Sequence, residues 1–366
     1  MRWPVSTSNR RRFAVAVCCL LVLSPRAGRS ASTLETMNAE VAGLYERSQD
    51  AVIRIHAEGP TELSRAPFGP SHRVSSGFFI DADGRFVTAD TLVENAARIW
   101  TDWHGRHLSA RLLGRDPLTK LALLQLDAGQ PTPHLPLGNS DDLRVGSMVV
   151  AIGFPYELPS TPVVGFVAGL DISCGRQIFP VNHIRAGCRL SPGQGGGPLL
   201  NARGEVVGLV VAAHGDDQCY SLPVNAVKKI CADIVTHGSP QYPWVGLDVS
   251  EHQFTNALAE PPQWQVFVRE IFSNTPAATA GFHERDILLS IATNEIHRSA
   301  DVLNTMFYRH GGETLSIAVL RAGATQEVKI IVGQRPSEPE PVVRLIPVLV
   351  VPVSPIPSVI PTADRR

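Results

Sequence analysis

Apolar residues recur along this chain with two different rhythms. Leu34, Met37, Val41, Leu44 and Tyr45 fall three or four apart, behind the pattern Ser32-x-x-Glu35. This predicts a short N-terminal helix opened by a capping box. From Ala51 the rhythm shortens. Runs such as AVIRIHA, SSGFFIDADGRFVTA, RIWTDW, HLSARLLG, LALLQLD, SMVVAIGFP, VVGFVAGLDIS and GEVVGLVVAA are β-prone and are broken by Gly, Pro and Asp. Asp83-Gly84 and Arg203-Gly204 stand where tight hairpin turns belong. Strands this short and this numerous predict a mainly β body built as a barrel or sandwich pair.

The helical rhythm returns at residues 225–237, with Asn225 as the expected cap and Val227, Ile230, Cys231, Ile234 and Val235 as one apolar face. Gly238 is a natural stop, and Pro240 and Pro243 mark a linker. Residues 244–333 then mix strands with two short helices, near Pro276–Ala280 and Ala300–Arg309, as a small α+β module does. Residues 334–366 are rich in Pro and Val, which excludes a helix and favours extended structure. The expected division is therefore 1–31 leader, 32–50 helix, 51–238 β body with its closing helix, 244–333 module and 334–366 tail.

Charge changes the picture only once the leader is set aside. The 366 residues carry 33 Lys+Arg against 34 Asp+Glu. Residues 1–31 read as an export signal: Arg10, Arg11 and Arg12 precede the apolar run Phe13–Leu23, and small residues follow at 28–31. The Asn9–Phe13 segment also resembles a twin-arginine signal. That leader holds six arginines and no acid, so without it the balance is 27 against 34, near −7. An acidic chain is a poor partner for nucleic acid. Cys174, Cys188, Cys219 and Cys231 remain after the leader. Export permits disulfides, with Cys188–Cys219 the expected bridge and Cys231 a buried thiol on the helix face.

Three stretches carry the candidate chemistry: SSGFFIDADGRFVTADTLV from Ser75, LGRDPLTKLALLQL from Leu113, and LSPGQGGGPLLN from Leu190. In this order and spacing they resemble the HtrA/Deg family of trypsin-like serine proteases. The module that opens with Trp244-Val245-Gly246-Leu247 resembles the PDZ domain that follows the protease in that family. The resemblance implies a trypsin-like double β-barrel, then a small α+β PDZ domain, in an exported, periplasmic or extracellular protein. It also implies a homo-oligomer, since the family often assembles as trimers.

The family's catalytic residues do not carry over. Its histidine aligns with Thr91, its aspartate with Lys120, and its nucleophilic serine with Gly195. A serine hydroxyl attacks only when an imidazole takes its proton, and a carboxylate orients that imidazole. Gly195 has no hydroxyl, Thr91 is no base near neutral pH, and Lys120 puts a cation where an anion is needed. The backbone amides of Gly193 and Gly195 remain as a residual oxyanion hole.

The expected function is therefore that of a non-catalytic binding or scaffold protein for extended or misfolded polypeptide, with no cofactor and no metal. Its partners are peptide C-termini, taken up by the loop Trp244, Val245, Gly246 and Leu247 beside the helix near 300–309, where Leu303 and Met306 face groove or core. The competing expectation is an active endopeptidase with a relocated site, for which Ser191, His183 and His214 are the candidates. A Thr91–Lys120 dyad is disfavoured, because Thr91 sits on the base side of the cleft. His104 and His107 are three apart but lack a third ligand, so they read as an exposed turn.

Overall fold

The computed structural model describes residues 32–59, 72–174, 177–215, 217–253 and 264–334. The leader, the tail from 335 onward, and the two leader cysteines lie outside the described residues. Residues 1–39 and 40–366 form separate units.

Helix α1 (Thr33–Ser48) opens with the expected capping box. The Ser32 amide donates to Glu35 Oε2 (2.7 Å) and the Glu35 amide to Ser32 Oγ (3.2 Å), so two unpaired amides are satisfied reciprocally. Its apolar stripe is only partly used: Leu44 is buried, but Leu34 is exposed.

Six strands follow, β1 (Val52–Glu58), β2 (His72–Phe79), β3 (Arg85–Ala89), β4 (Arg98–Trp103), β5 (Arg106–Asp116) and β6 (Leu121–Leu126). They close into an antiparallel barrel in the order β1-β2-β3-β6-β5-β4. A second closed barrel is built from β7 (Met148–Gly153), β8 (Thr161–Cys174), β9 (Gln177–Ala186), β10 (Pro198–Asn201), β11 (Val206–His214) and β12 (Gln218–Pro223), in the order β10-β11-β12-β9-β8-β7. Closure removes the free strand edges that two open sheets would expose, and it decides between the barrel and sandwich readings. Phe79, Phe86, Ile53, Ile55 and Leu124 fill the first barrel, and Val149, Ala151, Ile184, Leu199 and Val210 the second. A third apolar cluster, with Phe78, Val87, Leu121, Ile152 and Leu209, joins them. The three candidate motifs meet where the two barrels adjoin.

A short helix α2 (Asp90–Val93) follows β3, and α3 (Val224–His237) closes the second barrel. Two details of α3 depart from expectation. Its cap position is Pro223, not Asn225, whose side-chain amide donates to Asn139 Oδ1 (2.7 Å). Val235 is also exposed, because the buried stripe of Ala226, Val227, Ile230, Cys231 and Ile234 turns away from it. Gly238 ends the helix as expected, in the left-handed region.

The last module has strands β13 (Pro243–Trp244), β14 (Leu247–Gln253), β15 (Trp264–Ile271), β16 (Ile287–Ile291), β17 (Asn294–Glu295), β18 (Thr314–Arg321), β19 (Ala324–Ile331) and β20 (Gly333–Gln334). Helices α4 (Pro276–Ala280) and α5 (Ser299–Phe307) complete it. The main sheet runs β14-β15-β16-β18-β19, which leaves β14 at an edge, and β13 pairs with β20. Helix α5 reaches back to the barrels: the Asn182 amide on β9 donates to Asn304 Oδ1 (3.0 Å), and Phe307 joins the cluster between the barrels. The linker is anchored too, because Lys229 donates to the Gln241 carbonyl (2.7 Å) and the Tyr242 hydroxyl to Asp116.

Candidate functional site: a cleft between the barrels and a groove beside β14

The three motif segments converge through main-chain contacts. The Asp90 amide donates to the Lys120 carbonyl (2.9 Å), and the Ser76 amide to the Gly195 carbonyl (2.9 Å). Gly196 packs so tightly here that a Cβ would lie 2.2 Å from the Ser76 carbonyl oxygen and 2.4 Å from Thr88 Oγ1. With φ at +77°, that position demands glycine.

Thr91 is exposed at the start of α2, and its carbonyl accepts from Arg73 (2.9 Å). Lys120 is half-buried with φ +63°, and among the described residues its ammonium has no hydrogen bond or ion pair. Gly195 differs from its neighbour: a Cβ built there meets only Ser75 Oγ, at 3.9 Å. The space for a side chain is present and unfilled. Ser75 Oγ donates to the Gly195 carbonyl (2.6 Å) and Ser76 Oγ to the Gly193 carbonyl (2.7 Å), so two hydroxyls of β2 hold the loop.

Main-chain geometry also orients the amides of that loop. In a trans peptide the C=O and N–H point in opposite directions. The Pro192 carbonyl accepts from the Tyr156 amide (2.8 Å) and the Gln194 carbonyl from the Gly197 amide (3.2 Å). The N–H groups of Gly193 and Gly195 therefore point away from those partners, and neither donates to another described group.

A feature missed by sequence reasoning stands beside Thr91. Asp90 is almost fully buried, and Arg115 grips it with two bonds, Nε–Oδ1 at 2.5 Å and Nη2–Oδ2 at 2.8 Å. Hydrogen bonding to Asp90 raises the Arg115 pKa, against the cost of burial. Asp116, the next residue, is also buried, and desolvation lifts its carboxyl above the usual range although Thr119 and Tyr242 donate to it. The signal available in sequence was the adjacency Arg115-Asp116; the partner of the arginine was not legible.

The relocated-site candidates are not assembled. His183 is fully buried, stacked on Phe179 at 3.8 Å, with Nδ1 bonded to the Val181 carbonyl (2.9 Å). Among the described residues its Nε2 has no hydrogen-bond partner, Ser191 included. Burial depresses its pKa to about 4. Ser191 is a turn residue whose amide donates to Gln194 Oε1 (2.8 Å), and His214 ends β11 in the open. The expected Cys188–Cys219 bridge is corrected: both are buried free thiols whose sulfurs are hydrogen-bonded to each other. That contact raises the Cys188 pKa, as burial does, and lowers that of Cys219 against the opposing effect of burial. Cys231 is a buried thiol whose pKa burial pushes up to about 12.

In the last module, Trp244 pairs with Gly333. The Val245 carbonyl accepts from the Ala277 amide (2.9 Å) and the Gly246 carbonyl from the Phe272 amide (3.1 Å). By the same trans-peptide geometry the amides of Gly246 and Leu247 point the other way, outward along the free edge of β14. Gly246 has φ +74°, and a Cβ would lie 2.3 Å from Thr275 Cβ. Glu251 on β14 holds the start of α5: its Oε2 accepts from the Ser299 amide (2.7 Å) and hydroxyl (2.8 Å), while Arg298 pairs with Oε1 at 2.7 Å. Although burial alone would raise it, these donors keep the Glu251 pKa low. Leu303 stays exposed and Met306 half-buried on the same helix.

Two closed six-stranded barrels meeting at a glycine-rich loop, followed by a sheet with an open edge beside a helix, define a trypsin-like peptidase fold with a PDZ domain. The trypsin-like peptidase domain model matches residues 75–209 and the PDZ domain model residues 243–332. The chain is 30% identical over 299 residues to the "Probable periplasmic serine endoprotease DegP-like" of Pseudomonas fluorescens, covering 78% of this chain and 62% of that protein. It is 29% identical over 276 residues to the "Serine protease Do-like HtrA" of Bacillus subtilis, covering 68% and 60%. It thus spans less than two thirds of these relatives. Among solved structures, the HtrA-type protease AlgW with tripeptide superposes with a TM-score of 0.67 at 24% identity, over 81% of this chain and 98% of that one. The chain therefore carries a trypsin-like peptidase domain followed by a PDZ domain, and is similar to HtrA-type and DegP-like serine proteases.

Proposed function

We propose that this chain is an exported HtrA-like pseudoprotease that binds extended polypeptide without cleaving it. The carrying observation is the set of side chains at the cleft. Gly195 supplies no nucleophile, Thr91 no imidazole and Lys120 no carboxylate, and His183, the nearest alternative base by sequence, is buried and bonded elsewhere. An oxyanion hole alone retains roughly 10³–10⁴ over water, whereas losing the triad costs about 10⁶ in turnover. Peptide binding is assigned to the edge of β14. There the outward amides of Gly246 and Leu247 receive a C-terminal carboxylate, and the peptide adds as a further strand beside α5. Export is supported by relatives named periplasmic and by the leader pattern.

The test is incubation of the purified full chain with unfolded casein and with a serine-reactive fluorophosphonate probe. The expected result is intact casein and no labelling. Cleavage that survives further purification would establish the competing reading, an active endopeptidase with a rebuilt site.

A further inference from the structure

The outer face of the first barrel carries a side-chain cluster that the cleft and the groove do not use. It runs across four neighbouring strands, with His72 on β2, His56 on β1, Trp100 and Asp102 on β4, and His107 on β5. His56 Nδ1 lies 3.1 Å from His72 Nε2, and His56 Nε2 lies 2.9 Å from Asp102 Oδ2. Asp102 Oδ1 in turn meets His107 Nδ1. The Trp100 ring stacks against both imidazoles, with centroids at 5.2 Å from His56 and 5.6 Å from His72. Under these rings His56 is only 6% exposed, although Arg54 and Glu58 share its side of β1.

We propose that His56 Nδ1 and His72 Nε2 form a surface site for a divalent transition cation, with copper(II) preferred. Asp102 Oδ2 accepts the hydrogen bond of His56 Nε2–H, which fixes the tautomer and leaves the Nδ1 lone pair directed at His72. A carboxylate behind a histidine is the arrangement that orients and strengthens imidazole ligands. Two metal–nitrogen bonds of about 2.0–2.1 Å set near a right angle span roughly 3 Å, close to the spacing of these nitrogens. His72 is exposed and stacks on Trp100, whereas His56 is buried and held by Asp102 as well as by Trp100. On binding, the His72 proton moves from Nε2 to Nδ1 on the water side, and the metal takes the place of the shared proton. Among the described residues no three metal-binding side chains converge. Water must complete the shell, and a tetragonal ion with adjacent imidazoles tolerates that better than tetrahedral zinc does. Asp102 and Glu58 add negative charge nearby, and Arg98, over Trp100 at 5.1 Å, opposes it.

The test uses the full chain, titrated with copper(II) while Trp emission and the electron paramagnetic resonance spectrum are followed. One saturable equivalent with two-nitrogen coordination and partial quenching is expected. His72→Ala should weaken binding at least tenfold without disturbing the fold, since His72 is exposed. Trp100→Phe should remove the saturable quenching and keep the resonance signal. Unchanged affinity in the folded His72→Ala protein, or unchanged quenching in the folded Trp100→Phe protein, would overturn the site.

Discussion

The cleft between the barrels and the groove beside β14 use the same kind of backbone for different ends. In each, a glycine loop has its carbonyls tied to neighbouring main-chain amides, so that its own amides face outward. The groove depends on little else, because a carboxylate and an extended strand are recognised by main-chain groups. The cleft would need three side chains as well, and it has Thr91, Lys120 and Gly195. A binding function written in backbone survives substitutions that end a catalytic function written in side chains. That difference is why the proposed reading keeps the peptide and drops the cleavage.

Returning the side chains should restore the cleavage. The triple substitution Thr91→His, Lys120→Asp and Gly195→Ser should raise casein hydrolysis at least ~10³-fold, while each single change stays at background, because triad members act as a unit. Gly195 has the room, with nothing nearer than 3.9 Å to a new Cβ. A folded, inactive triple variant would show that the scaffold has moved along with the side chains.

The two regions should also differ in how they bear loss of an ion pair. Arg115→Met strands the buried Asp90 carboxylate and should cost about 3–5 kcal/mol in urea unfolding. Arg298→Met, at a pair with the arginine 48% exposed, should cost at most about 1 kcal/mol. Equal losses would mean that Asp90 is not stabilised as its burial implies.

Sequence made the barrels legible because alternating apolar runs and Gly turns are local signals, and it singled out Thr91, Lys120 and Gly195 for testing because each sits inside a spaced motif. It failed where a contact depends on strand register. The Asp90–Arg115 clamp, from α2 to β5, and the His56–His72–Asp102 chain, across neighbouring strands, join residues 16–46 apart, and no local pattern announces them. The cap of α3 failed for a related reason: Asn225 has the chemistry of a cap, but its amide is taken by Asn139, 86 residues away.

His183 gives the second barrel an acid sensitivity of its own. Its folded pKa of about 4 lies below the ordinary value of 6.5, so between these values the unfolded chain binds a proton that the folded chain refuses. Stability should therefore be full above about pH 6.5 and fall as pH drops toward 4, by roughly 3 kcal/mol. His183→Phe should flatten that slope in urea titrations at pH 7 and 4.5. A slope that persists would assign the acid sensitivity to other groups, leaving His183 a bystander.

A single methyl group tests the groove itself. Gly246→Ala places a methyl 2.3 Å from Thr275 Cβ at a φ of +74°, so the loop must shift. Thr275 also caps α4, accepting from the Ala278 amide at 3.2 Å, and its hydroxyl donates to the Phe272 carbonyl at 2.7 Å. A shifted loop turns the Gly246 and Leu247 amides away from a bound carboxylate. Affinity for a peptide with a free C-terminus should fall about tenfold, equivalent to ~1.4 kcal/mol, while a C-terminally amidated peptide, already weak, should change little. The barrels, whose cores lie elsewhere, should keep their unfolding midpoint. If both peptides lose affinity alike, the carboxylate is not what the loop reads; if neither does, the peptide binds away from β14 and the backbone argument for the groove fails with it.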